Sequence, residues 1–173
     1  MTATTRYGAN PAPSDLRIAQ DLANTIGVGP EADLLDSPEA AQAWLETMPD
    51  APRRPLREAD LVRMRTLRAA IRAALGDADA GTTFGLSVRV DDRGISWQPP
   101  ADPIDALQAR VMYTLIEAQA RGALSRLKLC QNARCRVAFF DESRNGSGRW
   151  HSAATCGNAA RVRAHRDRLR GAG

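Results

Sequence analysis

Four potential metal ligands lie close together near the end of the chain, and they constrain its local fold more than any other feature. Their spacing is Cys130-x4-Cys135-x15-His151-x4-Cys156, and the sequence contains no other cysteine among its 173 residues. Two close pairs separated by a loop allow one turn to wrap around each side of a metal ion. Thiolate and imidazole groups are ligands that zinc accepts at the corners of a tetrahedron. The spacing therefore predicts one structural zinc ion bound by these four side chains.

Two alternatives compete with this assignment of the fourth ligand. His151 would be an ordinary surface histidine if the site were three-coordinate or lost. His165 is the chain's other histidine, but it lies nine residues beyond Cys156, about 13 Å away along a helix. We therefore favour His151. A disulfide framework is not expected, because three is an odd number and the first residues lack the apolar stretch of a secretion signal.

Charge is distributed unevenly along the chain. Residues 1–125 contain 13 arginines and 17 acidic residues, a net charge of −4, whereas residues 126–173 contain 11 basic and three acidic residues, a net charge of +8. A basic end on a mildly acidic body favours a polyanionic partner, above all DNA. The candidate nucleic-acid-binding residues are Arg144, Arg149, Arg161, Arg163, Arg166 and Arg168. Arginines that serve only solubility, or that meet an acidic protein, are the alternatives.

Apolar residues recur at helical spacing through most of residues 1–125. We expect a first helix after Ser14, its N-cap, that runs to Ile26 and stops at Gly27. A second helix is expected from Ser37, with Pro38 in its first turn. The pattern Leu61, Met64, Leu67, Ile71 and Leu75 predicts a third helix closed by Gly76, and a fourth is expected over residues 104–124.

Two further features of this region concern its surface and its β-structure. The arginines of the third helix are expected to form a solvated face; they are Arg63, Arg65, Arg68 and Arg72. Alternating apolar residues on either side of the sequence DDRG predict a β-hairpin with a glycine-bearing turn; they are Val88, Val90, Ile95 and Trp97. The fold class is therefore mainly α: a helical N-terminal domain with one β-hairpin (1–125), and a small C-terminal zinc finger ending in a basic helix (126–173).

The sequence offers little for catalysis. It contains no glycine-rich nucleotide motif and no nucleophile elbow, and both histidines lie in residues 126–173. We therefore expect no enzyme. The rival hypothesis is an enzyme or small-molecule-binding protein whose pocket lies in the helical domain, with a purely structural finger. Asn24 and Thr25 are then the candidate ligand-binding groups.

The C-terminal segment resembles the CGNR zinc-finger family of bacterial proteins. The resemblance rests on Cys130 and Cys135, on FFDESRN at 139–145, RWH at 149–151, CGN at 156–158, and on the basic stretch that follows. That family has cysteine where this chain has His151, and arginine where this chain has Ala159. Its members carry a helical N-terminal domain, called ABATE, whose opening resembles DLANTIG at residues 21–27.

The resemblance implies a stress-induced transcription regulator. We accordingly expect a cytoplasmic, DNA-binding protein whose N-terminal domain senses a small-molecule effector or mediates homodimer formation. No stretch of the sequence approaches the roughly 20 apolar residues that a membrane-spanning helix needs. No membrane association is expected.

Overall fold

Helices and short strands organise the part of the chain that the computed structural model describes, residues 1–13, 15–48, 54–77 and 81–171. The helices are α1 (Leu16–Ala23), α2 (Pro38–Leu45), α3 (Glu58–Ala74), α4 (Pro103–Ala120) and α5 (Asn158–Gly171). The strands are β1 (Val88–Asp91), β2 (Gly94–Trp97), β3 (Leu127–Leu129) and β4 (Ala138–Phe140). This mainly α architecture, with a small C-terminal region that ends in a helix, confirms the predicted fold class.

Helices α1, α3 and α4 pack on one another around the main apolar core. The α3 stripe lies in this core as predicted, with Leu61, Met64, Leu67 and Ile71 all buried. Gly76 follows α3 with a φ of +85°, the left-handed conformation that commonly ends a helix. The periodicity of the sequence was therefore sufficient to place this helix and its end.

Helix α2 begins as its sequence predicts. The hydroxyl of Ser37 accepts a hydrogen bond from the backbone N–H of Ala40 at 3.2 Å, and Pro38 occupies the first turn. The proline lacks an N–H, so nothing is left unsatisfied at that position. Asp102 caps α4 in the same way, because its carboxylate accepts from the N–H groups of Ile104 and Asp105.

Helix α1 is shorter than its sequence predicts. It ends at Ala23, and the prediction that it extends to Ile26 and stops at Gly27 is wrong. Thr25 turns the chain instead: its hydroxyl donates to the carbonyl of Leu22 at 2.7 Å, and its own carbonyl accepts from Leu34. The predicted N-cap, Ser14, lies outside the described residues.

The predicted hairpin is present, and three of its four alternating apolar residues are exposed. Strands β1 and β2 pair antiparallel, with Val88 opposite Trp97 and Val90 opposite Ile95. Val88, Val90 and Ile95 are between 61% and 78% exposed. The hairpin is attached to α4 by Trp97, whose ring stacks on that of Tyr113 with 6.3 Å between centroids. The hairpin that the alternation predicted is therefore confirmed, and it lies on the surface.

A second two-stranded sheet belongs to the C-terminal region. Strand β4 lies within the apolar stretch VAFF at residues 137–140, and β3 directly precedes Cys130. The two pair antiparallel, with Leu127 opposite Phe140 and Leu129 opposite Ala138. Leu127, Leu129 and Ala138 are buried in the same core as the helical body. The small sheet is thus packed directly against the helices.

The arginines of α3 do not form the solvated face that we expected. Arg63 binds Asp60, Asp102 and Asp105, and Arg68 binds Asp33 at 2.6 Å. Their carboxylate partners come from distant loops and from the first turns of α3 and α4, so the sequence of α3 alone could not reveal them.

The other two arginines of α3 also have internal partners. Arg65 donates to the carbonyl of Leu35. Arg72 is only 7% exposed and binds Asp77 at 2.7 Å. These arginines hold the helical body together.

Helix α5 extends from the C-terminal region. It is preceded by a π-helical turn, Ala153–Gly157, which Ser152 caps: its hydroxyl accepts from the N–H of Thr155 at 3.2 Å. All ten residues from Arg161 to Arg170 are exposed, including Val162 and Leu169. These two apolar side chains are therefore not buried against other described residues. Among those residues, none of the helices has the length and apolar character to cross a membrane.

Candidate zinc site and its surroundings

The four predicted metal ligands converge at one point of the C-terminal region. Cys130 follows β3, Cys135 lies within the loop between β3 and β4, His151 follows Trp150, and Cys156 lies in the π-helical turn before α5. Their ligand atoms all lie within 4.8 Å of one another. The exposed His165 is not part of this cluster. The structure thus assembles the predicted set from residues up to 26 positions apart.

The distances in the cluster fit a tetrahedral zinc ion. His151 Nδ1 lies 3.3 Å from Cys135 Sγ and 3.6 Å from Cys156 Sγ. Zinc bonds of ordinary length to sulfur and nitrogen place two such ligand atoms about 3.5 Å apart in a tetrahedron. The coordinating atom of His151 is therefore Nδ1. Three thiolates, one imidazole and Zn²⁺ give the site a net charge of −1.

Backbone and side-chain N–H groups support the thiolates. Cys130 accepts hydrogen bonds from the backbone N–H groups of Asn132 and His151, and Cys135 accepts one from that of Val137. The side-chain amide of Asn132 donates to Cys156 Sγ at 3.4 Å. Such donors delocalise the negative charge of metal-bound sulfur and orient it. Asn132 was not singled out from the sequence, because nothing there shows that its amide meets a ligand 24 residues away.

The two thiols of the first pair are coupled electrostatically. A hydrogen bond from the Cys135 thiol lowers the pKa of Cys130, and the same pairing raises the pKa of Cys135. Zinc binds cysteine as thiolate, so the metal must displace the protons that these thiols still carry. Metal binding and proton release are linked here.

An apolar shell surrounds the cluster. Cys130, Cys135 and Cys156 are buried together with Val137 and Phe139. Trp150 covers one side, and its ring leaves so little space that a Cβ on Gly157 would lie 3.1 Å from it. A side chain in place of this glycine of the CGN sequence would therefore require Trp150 to shift by a few tenths of an ångström. Tyr7, Ala9 and Val28, from the N-terminal part of the chain, complete the shell.

A buried ion pair organises the loop between the two halves of the site. The carboxylate of Asp141 accepts from Lys128 Nζ at 2.7 Å and from the N–H groups of Ser143 and Gly148. Burial opposes its ionisation, but these hydrogen bonds outweigh that effect and hold the pKa of Asp141 well below its ordinary value. Lys128, the chain's only lysine, also donates to the carbonyl of Gly146. The pair keeps the loop folded so that His151 reaches the cysteines.

Asn24 and Thr25, the candidate ligand-binding residues, are completely buried. The amide of Asn24 binds both backbone groups of Ala138 in β4: its Oδ1 accepts from the N–H at 2.7 Å and its Nδ2 donates to the carbonyl at 2.8 Å. Thr25 donates to Leu22 and accepts from Arg68. The structure therefore places both at internal contacts, where Asn24 joins α1 to the small sheet.

A second polar contact joins α3 to the C-terminal region. Arg136, in the left-handed conformation with φ of +55°, binds Asp77 at 2.8 Å. Arg72 of α3 binds the other oxygen of the same carboxylate and donates to the carbonyls of Ala23 and Arg136. Two guanidinium groups and one carboxylate thus fix the loop that carries Cys135 against α3.

The candidate nucleic-acid-binding arginines differ in how free they are. Arg149 donates to Gln131 at 2.6 Å and lies over the ring of Trp150, so it is partly engaged. Arg144 is exposed, with a side chain that binds no other described residue. The four on α5 are also exposed and have no ion pair or side-chain hydrogen bond within the described ranges; they are Arg161, Arg163, Arg166 and Arg168.

The geometry defines a zinc-finger-type site, with four protein ligands and no position left for a substrate or an activated water molecule. Residues 126–169 match the family model described as CGNR zinc finger. The Cys130, Cys135, His151 and Cys156 cluster within that match is consistent with one structural zinc ion. A comparison with curated proteins gave no match for the chain.

Proposed function

We propose that the protein binds DNA through the arginines of α5 and the adjoining finger loop, and that it acts by binding rather than by catalysis. The observation that carries this proposal is the unpaired state of the arginines on α5. The helix begins at Asn158, two residues after the ligand Cys156. Zinc therefore fixes the position from which the arginines project.

Electrostatics supports a phosphate-rich partner. Guanidinium groups bind phosphate through two parallel hydrogen bonds, and that interaction is independent of base sequence. Arg144 and all five arginines of α5 are exposed and have no carboxylate partner among the described residues. If about five phosphates are contacted, the logarithm of the binding constant falls with the logarithm of salt concentration with a slope near −4 to −5.

A salt-titrated DNA-binding assay tests the proposal. The test variant replaces Arg161, Arg163, Arg166 and Arg168 by alanine. Its matched control replaces four exposed arginines elsewhere, Arg17, Arg89, Arg93 and Arg121, and so changes the net charge equally. We expect the test variant to lose about 100-fold or more in affinity for a duplex, and the control to lose about threefold or less. Absence of binding by the wild-type protein at low salt would contradict the proposal.

We further propose that this binding serves transcription regulation in the cytoplasm, with the helical body acting as sensor or homodimer contact. Thiolate ligands of zinc need a reducing compartment, which supports the location. A groove of about 750 Å³ between α3 and α4 supports a ligand-sensing role. Its apolar lining comes from Phe84, Met112, Leu115, Ile116 and Leu124. Small-molecule sites are typically of this size and polarity.

An environment-sensitive apolar dye tests the groove as a binding site. We expect 8-anilinonaphthalene-1-sulfonate to bind the folded protein at one saturable site. Ile116→Glu places a charge at the rim, and Ile116 is 58% exposed, so stability is retained while dye affinity falls. Ile95→Glu, on the hairpin at a residue that is 78% exposed, is the control. Equal dye binding by both variants would contradict ligand binding in the groove and leave DNA binding untouched.

A further inference from the structure

We propose that Arg134 and one face of α5 form a single groove that holds a backbone phosphate of DNA, whereas the opposite face of α5 stays off the DNA. This inference rests on the proposed DNA binding and assigns it to a particular surface. Arg134 lies on the loop between Cys130 and Cys135, far from α5 in sequence but close to it in space. The residues that line the groove are Arg134, Ala159, Arg163, Arg166, Asp167 and Arg170, with Val162 at its side.

The zinc site fixes both walls of this groove. On one wall, the backbone N–H of Arg134 donates to the side chain of Asn132 at 3.2 Å, and the amide of Asn132 donates in turn to Cys156. On the other wall, Ala159 follows Cys156 by three residues. The separation of Arg134 from the first turn of α5 is therefore set by the metal ligands themselves.

Helical geometry divides the arginines of α5 into two groups. At 100° per residue, Arg163, Arg166 and Arg170 lie within about 40° of Ala159 and face the groove. Arg161 and Arg168 lie about 180° to 200° from Ala159, on the opposite side. A duplex backbone seated in the groove contacts the first group and cannot contact the second at the same time.

Charge and shape suit the groove to a phosphate. Four arginines and one aspartate line it, a net charge of +3, and none of the four guanidinium groups has an ion pair with another described residue. Like charges four residues apart, as at Arg166 and Arg170, repel each other until an anion lies between them. Ala159 is exposed and adds only a methyl group, so the floor of the groove stays open.

Paired double variants of the full-length, zinc-loaded protein test the inference. Arg134→Ala with Arg163→Ala removes two charges from the groove, and Arg161→Ala with Arg168→Ala removes two from the opposite face. Affinity for a duplex is measured by fluorescence anisotropy at several salt concentrations. We expect the groove pair to lose about tenfold or more and its salt slope to decrease by about 2. The opposite pair is expected to lose about threefold or less.

A second pair of variants tests the floor of the groove without removing arginines. Ala159→Glu introduces a carboxylate into the groove, and Ala164→Glu introduces one at an exposed position about 140° away on the same helix. We expect a loss of DNA affinity at least about fivefold larger for the first. Zinc content and circular dichroism of each variant establish that the finger is intact.

The outcomes distinguish the inference from the proposed function. Equal losses for the groove pair and the opposite pair would overturn the groove and leave DNA binding standing. Absence of DNA binding by the wild-type protein would overturn both. Binding of polyglutamate but not DNA, with the same variant pattern, would assign the groove to an acidic protein and overturn the phosphate site.

Discussion

Helices α3 and α5 carry arginine at similar density, four in 17 residues and five in 14. In α3 every arginine meets a carboxylate or a carbonyl of the fold. In α5 none does so with any described residue. The same side chain on the same secondary structure therefore stabilises the body in one helix and is left for a partner in the other.

The difference lies in the surroundings of each helix. The partners of α3 are acidic residues at helix starts and loops, among them Asp33, Asp60, Asp77 and Asp102. The last 48 residues contain only three acidic side chains, and one of these, Asp141, is already bound to Lys128. The number of arginines alone does not predict a binding surface. An excess of arginines over the carboxylates that could pair with them does.

Loss of the zinc ion should give the largest difference between the two helices, because it affects α5 far more than α3. Structural zinc sites contribute about 10 kcal/mol or more to folding in isolated fingers. We expect His151→Ala to lower zinc content from one per chain to well below half. We also expect faster amide hydrogen exchange around β3, β4 and the start of α5, and a much smaller increase in the exchange rate in α3. Inductively coupled plasma mass spectrometry and exchange mass spectrometry measure these effects.

His151→Cys is the matched control for that prediction. A thiolate at this position restores four ligands and changes the site charge from −1 to −2, which zinc accepts. Retention of full zinc by His151→Ala, with no change in exchange, would show that the imidazole is not a ligand.

Replacing single arginines by alanine should give the next largest difference between the two helices. Arg72→Ala leaves the Asp77 carboxylate with one guanidinium partner. It also removes the donor that binds the carbonyls of Ala23 and Arg136. We expect a loss of about 3 kcal/mol in the free energy of unfolding, measured with urea at saturating zinc. Arg163→Ala should change it by about 0.5 kcal/mol or less. Equal losses would erase the distinction between the two helices.

Acid should weaken the arginine–carboxylate pairs of the body, whereas the arginines of α5 have no such pair with a described residue to lose. Hydrogen bonds from Arg54 hold the pKa of Asp60 at about 2, below its ordinary value of 3.8. The ionised carboxylate therefore stabilises the native state above about pH 4, and this contribution disappears as the pH falls towards 2. We expect the stability difference between the wild-type protein and Asp60→Asn to shrink across that range. A difference that is constant from pH 6 to 2.5 would refute this role.

The smallest expected effect is that replacing an arginine by alanine stabilises α5, whereas the same change destabilises α3. Arg166 and Arg170 are like charges one turn apart, and alanine has the higher helix propensity. We expect Arg166→Ala to stabilise α5 by a few tenths of a kcal/mol, seen as slower amide exchange in that helix. Arg68→Ala in α3 should instead speed exchange. Faster exchange in both helices would mean that Arg166 has an internal partner.

Local patterns predicted what depends on nearby residues. The α3 stripe, the Ser37 cap and the zinc ligands were all recognisable because spacing along the chain sets their geometry. The early end of α1 was missed, since it depends on Asn24 meeting a strand 114 residues away. The hairpin was predicted, but its exposure could not be, because alternation identifies a two-faced strand and not which surface, if any, covers its apolar face.

The pairing of Asn24 with Ala138 has a consequence for how this chain can evolve. One amide side chain substitutes for a neighbouring strand, so β4 is completed by a helix that the C-terminal region does not contain. Zinc fingers that form all their contacts internally can be duplicated or transferred between genes as units. Here a transferred finger would leave an unpaired strand and a gap in the donor's core where Leu127 and Leu129 had been. Changes at Asn24 and in β4 are therefore expected to be inherited together.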